Sequence, residues 1–275
     1  MLGGMKLGFT PLNAQMLDLE AAFQLASDEG LQFIELAFDM QELLPDSQPV
    51  KRVNELQRST GVAVTLHLSY VDLNLASLMP GVADNSIQRT QRGLEYAASI
   101  GALCAVLHTG LVPLRHPLML QAAGQRLEQS LALIEALVPI ALENLALTEY
   151  DLLRGAASLE TVTIRAGFGN CIDVGHAFIE GCSTEVSDGT GGGGLGAGLM
   201  RLEAYKAGLS HVIHLHLQDN DGLSDAHGTL GSGKLEWLGM REWLSGFAGT
   251  VNLEVGPSAD QVRRSVRFLR DLLAG

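Results

Sequence analysis

Histidines and acidic residues recur at the ends of short apolar runs. TLH closes on His67, AVLH on His108 and IALE on Glu143; CIDVGH supplies Asp173 and His176, IHLH ends on His216, and VNLE ends on Glu254. Between the last two runs the loop DNDGLSDAHGTLGSG adds Asp225 and His227. Imidazole nitrogen mixed with carboxylate oxygen suits Zn²⁺ or Mn²⁺ better than Ca²⁺, which prefers oxygen alone. Glu143, Asp173, His216 and Glu254 form a compact set for one divalent ion, with positions left for a substrate. His67, His108, His176, Asp225 and His227 can hold further ions, for one to three in all, or can orient ligands and touch substrate. Each residue alone has a plainer explanation. A strand-end histidine is ordinarily a hydrogen-bonded core group, Glu143 alone could be an ion-pair partner, Asp173 could cap the segment after it, and Asp225 with His227 could be turn chemistry. Accidental polarity at every tip together is far less economical. Within IHLH, His214 is read as pointing opposite His216, which leaves His216, nearer the tip, as the ligand.

Such tips need elements that converge. The apolar runs predict strands over 7–9, 33–36, 63–68, 105–107, 140–142, 170–172, 212–216 and 251–253. Amphipathic stretches between them predict helices over 16–28, 49–60, 85–100, 117–137, 150–165, 199–207, 235–245 and 259–273. Alternating strands and helices imply βαβ units and a parallel sheet. Eight such units close most economically into a (β/α)8 TIM barrel, here a single domain over 1–275. An open doubly wound sheet is second, weakened by the lack of GxGxxG after the first strand. Barrel active sites lie at the C-terminal ends of the strands, where these His, Asp and Glu residues fall.

Composition bounds the rest. A chain of 275 residues with 47% apolar content and mean hydropathy +0.18 can bury a sizeable core, and 5% aromatics make that core aliphatic. A net charge of -13 repels polyanions at long range and disfavours a nucleic-acid partner, although a metal cluster can reverse the local potential. Three cysteines without CxxC spacing argue against a disulfide framework and for a reducing cytoplasm. No stretch is long and apolar enough to span a bilayer, and MLGGMKLGFT lacks a signal-peptide apolar region. The glycine-rich run 188–198, DGTGGGGLGAG, is expected to be a flexible loop, either a tolerated insertion or a lid. GSGK, with Gly231, Gly233 and Lys234 just before a predicted helix, could take a terminal phosphate or could simply be a helix-entry turn.

The residues also carry a resemblance. FIELAFD, HLSYVDLN, VLHTG, ALEN, CIDVGHAFIEG, HLHLQDNDGLSDAHGTLGSGKLEW and NLEVGP together resemble the xylose isomerase-like barrel superfamily. That superfamily includes sugar-phosphate isomerases and epimerases and the endonuclease IV group (AP endonuclease family 2). The resemblance spans the second strand to the eighth; CIDxxH and HLxxDNDGxxDxHxxxGxG are its more specific pieces. In the isomerases and epimerases, it implies, Glu143, Asp173, His216 and Glu254 bind one divalent metal, and the two glutamates exchange protons with substrate. In endonuclease IV it implies three zinc ions on His67, His108, Glu143, Asp173, His176, His216, Asp225, His227 and Glu254. Two departures weaken the nuclease match. The segment 70–74 carries an extra residue, and the loop before Asp225 reads QDNDGLS in place of an Asn-Asp-(Ser/Ala)-Lys run. The chain has only four lysines, Lys6, Lys51, Lys206 and Lys234, and no basic stripe with interleaved aromatics.

The leading expectation is a metal-dependent isomerase or epimerase acting on a sugar, sugar phosphate or polyol. Glu143 and Glu254 would be base and acid and His176 would orient a substrate oxygen. The alternative is phosphodiester hydrolysis at a trinuclear zinc cluster, as in AP endonucleases of DNA repair. A barrel that binds without catalysis is third. The expected partner is a small sugar-like molecule, with no membrane partner and with outer helices that would allow a homodimer.

Overall fold

A computed structural model describes residues 4–11, 18–43, 48–145, 148–183, 194–256 and 258–275. Eight parallel strands close into a barrel: β1 Lys6–Phe9, β2 Phe33–Ala37, β3 Ala63–His67, β4 Ala105–Leu107, β5 Ile140–Glu143, β6 Gly169–Asp173, β7 Val212–Leu217 and β8 Thr250–Leu253. Each pairs with its neighbours in sequence, and β1 closes the ring on β8 with Lys6 opposite Thr250 and Phe9 opposite Leu253. Around the ring run α1 Leu19–Asp28, α2 Phe38–Leu43, α3 Val50–Thr60, α4 Pro80–Ser99, α5 Pro117–Ala132, α6 Ala156–Ala166, α7 Val174–Cys182, α8 Leu195–Gly208, α9 Arg241–Gly246 and α10 Ala259–Ala274. This is the expected (β/α)8 barrel. The aliphatic core lies between strands and helices, with Leu7, Ile34, Val64, Leu142, Ile172 and Val251 fully buried. Alternation within each strand sends the other residues into the barrel.

The helices begin and end where local chemistry dictates. Asp18 caps α1 by accepting from Ala21 N at 3.1 Å, and Pro117 opens α5 at a position that needs no amide donor. The stretch expected to be one helix over 235–245 is a 3₁₀ turn, Trp237–Met240, followed by α9. Helix α7 was not expected. All nine of its residues are buried, so its sequence lacks the polar face by which a surface helix is recognised.

The run 188–198 departs from expectation at its end: α8 starts at Leu195, while 188–193 lie outside the described residues. Of the described glycines in that run, Gly198 serves close packing of α8 on α7, while Gly194 and Gly196 have open space around them. A Cβ on Gly198 would come within 2.6 Å of Cys182 Sγ and the Phe178 ring, and one on Gly181 within 2.6 Å of the Gly198 Cα.

Candidate metal centre

At the C-terminal mouth the strand tips bring the nine His, Asp and Glu residues together around three adjoining positions. At the first, His108 Nε2 and His67 Nε2 stand 3.0 and 3.5 Å from Glu143 Oε2. At the second, ligand atoms of Glu143, Asp173, His216 and Glu254 all lie within 4.8 Å of one another. There His216 Nδ1 sits 3.1 Å from Glu143 Oε1 and 3.3 Å from Glu254 Oε2. At the third, His227 Nε2 and His176 Nε2 are 3.0 and 3.5 Å from Asp225 Oδ2.

The backbone sets the imidazoles. His67 Nδ1 lies 2.9 Å from Leu68 O, His176 Nδ1 2.9 Å from Asn144 O, and His227 Nδ1 2.9 Å from Glu254 O. A carbonyl can only accept, so each Nδ1 carries a proton, and each Nε2, turned to the mouth, is the nitrogen that would meet a cation once it gives up its own proton. His227 holds its pose from a left-handed backbone, φ 47°. Asp173 also caps α7, accepting from His176 N at 2.7 Å with one oxygen while the other faces the mouth. The capping explanation and the ligand explanation are therefore compatible.

Glu35, not singled out from sequence, occupies the layer below. It is fully buried and accepts from Thr65 Oγ1 at 2.9 Å and Asn252 Nδ2 at 2.9 Å. Its carboxylate stands 3.0 Å from His216 Nε2 and 3.1 Å from His214 Nε2. His214 thus points inward like His216; the expectation that they oppose each other is overturned. Residues two apart on a strand share a face. His214 is one layer deeper, with Nδ1 2.6 Å from Thr250 Oγ1. Cys171 also comes within ligand range of His214 and His216. Burial raises its thiol pKa well above the ordinary value, so it remains a protonated, weak donor. An acidic residue in the middle of the apolar run FIELA was the available signal for Glu35.

The charges around the mouth are interdependent. Burial would raise Glu143, but His216, His108 and His67 hold it well below the usual carboxylate range. Burial, with Glu254, Glu143 and Asp225 near, pushes Asp173 up to about 7. Burial opposes charging of His227, yet Asp225 and Glu254 raise it to about 9. His176 rises well above its ordinary value, burial being outweighed chiefly by Asp173 and Asp225. Without a cation, protons on imidazoles do the neutralising. Glu143 Oε2, Asp173 Oδ2 and His176 Nε2 remain buried without a hydrogen-bond partner. Converging, unpaired donors of this kind fit a divalent cation.

Gly231, Gly233 and Lys234 are not brought to the mouth. Gly231 N donates to Asp219 Oδ2 at 2.8 Å, Lys234 N to Asn220 O at 2.8 Å and Leu235 N to Asp219 Oδ1 at 3.3 Å. A Cβ on Gly233 would collide with the Asp219 carboxylate, which is why glycine stands there. Of the amides expected to face a phosphate, that of Gly231 already faces an internal anion and that of Lys234 a backbone carbonyl.

A cavity of about 370 Å³ opens over the cluster, and His67, His108, Glu143, His176, Asp225, His227 and Glu254 all line it. Tyr70 stands at its edge, with ring centroids 5.0 Å from His108 and 5.3 Å from His67. Its amide donates to Asp39 Oδ2 at 3.1 Å, and Asp72 nearby takes a left-handed φ of 56° in the segment that carries the extra residue.

Comparison with known proteins agrees with this architecture. An uncharacterized protein of Methanocaldococcus jannaschii is 24% identical over 241 residues, covering 82% of this chain and 74% of that protein. A probable endonuclease 4 of Mycobacterium leprae is 28% identical over 187 residues, 66% of this chain and 68% of the relative. In fold the chain resembles a D-tagatose 3-epimerase-like protein, with TM-score 0.74, 21% identity and 98% and 97% of the two chains covered. It also resembles a Thermus thermophilus protein whose crystals were soaked with ZnCl2, with TM-score 0.69, 24% identity and 98% of each chain covered. The family model of the xylose isomerase-like TIM barrel matches residues 23–272, and with strand tips, barrel closure and sequence in agreement, this chain belongs to that family.

Proposed function

We propose that the protein is a metal-dependent phosphoester hydrolase with a trinuclear centre. The observation that carries this reading is the use of Glu143. Its Oε2 faces His67 and His108, and its Oε1 faces His216, at 3.5, 3.0 and 3.1 Å. A carboxylate with imidazoles on both sides could hold two cations, and would then keep no oxygen free to take a proton from carbon. His67, His108 and Glu143 would hold one ion; Glu143, Asp173, His216 and Glu254 a second; His176, Asp225 and His227 a third. The share of imidazole favours zinc over manganese.

When bound, clustered zinc ions draw charge from a phosphoryl group and stabilise both attacking and leaving oxygens. The chain's own groups do the rest. Glu254 lines the cavity and is placed to accept the proton of an attacking water. The water oxygen forms a new P–O bond, the ester P–O bond breaks, and a proton passes to the departing alcohol. Backbone carbonyls of Leu68, Asn144 and Glu254 keep the rings aimed throughout.

The isomerase or epimerase reading stands second. It is favoured by Glu143 and Glu254 both reaching His216 in the four-residue set. In it one ion is held there, and the two glutamates exchange protons with a sugar carbon. Metal content after chelator-free purification, with turnover of bis(p-nitrophenyl) phosphate, tests the ranking. About three zinc ions per chain, with hydrolysis lost in His108→Ala, is the expected result. One ion per chain, with ketose α-proton exchange into D2O that Glu143→Gln abolishes, would reverse it.

A further inference from the structure

The cavity over the metal centre has two unlike walls. One is the ligand cluster. The other is apolar, built from Leu73, Leu75, Leu107, Leu111 and Leu145. No lysine or arginine occurs among the described residues that line it. The lining hydroxyls are mostly committed within the protein. Ser69 Oγ donates to Glu42 at 3.1 Å, Thr148 Oγ1 to Asp151 at 3.2 Å, and Thr10 Oγ1 accepts from Asn252 Nδ2 at 2.6 Å. The Thr90 hydroxyl, by contrast, is buried, lines the cavity and has no partner, and the half-exposed Tyr70 adds a phenol at the rim. A polyhydroxylated sugar placed here would leave most of its hydroxyls unpaired against leucine, at a cost for each. A polynucleotide carries a charge at every phosphate, and this cavity offers its neighbouring phosphates no lysine or arginine. The overall charge of -13 repels it further.

Building on the hydrolase reading, we infer that the substrate is a small phosphodiester with one apolar, ring-sized ester group. The phosphoryl group lies on the ligand wall. The ring lies on the five leucines, and Thr90 hydrogen-bonds the one polar atom the ring carries inward. Water adds to phosphorus, the P–O bond to one ester group breaks, and the products are a phosphomonoester and an alcohol or phenol, with no change in oxidation state.

Phenylphosphonate and methylphosphonate separate the walls, because neither is hydrolysed and they differ in the ring alone. Calorimetric titration into zinc-loaded protein should find phenylphosphonate about ten- to a hundredfold tighter, as burial of one ring predicts. Leu111→Ser, at a position 43% exposed and so safe for folding, should shrink that preference severalfold and leave methylphosphonate affinity unchanged. Equal affinity for the two phosphonates would overturn the inference. Turnover of bis(p-nitrophenyl) phosphate, followed in parallel, keeps the two readings apart. A phenyl preference without turnover would uphold the apolar wall and sink the hydrolase reading. Turnover without a phenyl preference would do the opposite.

Discussion

Glu35 shows how much a single buried carboxylate can govern. Barrel interiors are ordinarily filled with branched aliphatic side chains, yet here Glu35, Thr65, His214 and Asn252 form a polar layer beneath the mouth. Glu35 meets His216 Nε2 from below while Nδ1 faces Glu143 and Glu254 from above. Outer carboxylates that orient a ligand imidazole are worth about 10–100-fold in metal affinity. Glu35→Gln should therefore weaken zinc binding by that factor with the circular dichroism spectrum unchanged; competition titration with a chromophoric chelator measures it. Protonation makes a second prediction. His227, at about 9, and Asp173, at about 7, must both be proton-free to bind zinc. Zinc binding at pH 6 should thus release protons from both groups, and near pH 8 mainly from His227 and from His176, which is also held well above its ordinary value. Apparent affinity should climb with pH and flatten above about 9 as far as His227 governs it. Calorimetry in two buffers of different ionisation heat reads the proton count, and equal heats at pH 6 would refute the linkage.

At the scale of elements, the loop after β7 is held by an internal anion. Asp219 accepts from Gly231 N, Leu235 N and Trp237 Nε1 at 2.8, 3.3 and 2.8 Å. Removing a buried acceptor leaves each donor unsatisfied, at about 1–3 kcal/mol apiece. Asp219→Ala should cost about 3 kcal/mol or more, seen as a lower thermal midpoint. It should also loosen Asp225 and His227, which the same loop carries. An unchanged midpoint would show that the loop has other anchors. Legibility of elements follows the same physics. Strands read well because continuous apolar runs ending in charge have few alternatives, as at 140–142 and 212–216. Helix α7 did not read, because burial on every side erases periodicity. GSGK misled for a related reason: glycine there makes room for Asp219, and a sequence cannot say which anion a turn encloses.

For the whole molecule, charge and metal are linked. Four carboxylates, Glu143, Asp173, Asp225 and Glu254, converge at one end of a chain of net charge -13. A ligand that binds only the folded state stabilises it by mass action, by about 2.7 kcal/mol at one hundred times its dissociation constant. Zinc should raise the thermal midpoint of chelator-treated protein by several degrees, and EDTA should reverse the shift. Scanning calorimetry with and without zinc checks this, and an unmoved midpoint would speak against a built site. Among the described residues no helix is long and apolar enough to cross a membrane.

From its sequence alone, this protein's fold could be read, together with the strand ends that carry the candidate site. Eight apolar runs, six of them ending in His, Asp or Glu, admit few arrangements other than a closed barrel with one polar mouth. Residue spacing along a strand specifies which end a side chain occupies. It carries no information about which oxygen of Glu143 meets which imidazole, about Glu35 lying under His216, or about leucines from the ends of three neighbouring strands forming one wall. Those relations join residues far apart in the chain, and only closure of the barrel brings them within bonding distance. Tertiary structure therefore decided how His67, His108 and His216 stand around the two oxygens of Glu143, the arrangement on which the proposed hydrolase reading rests.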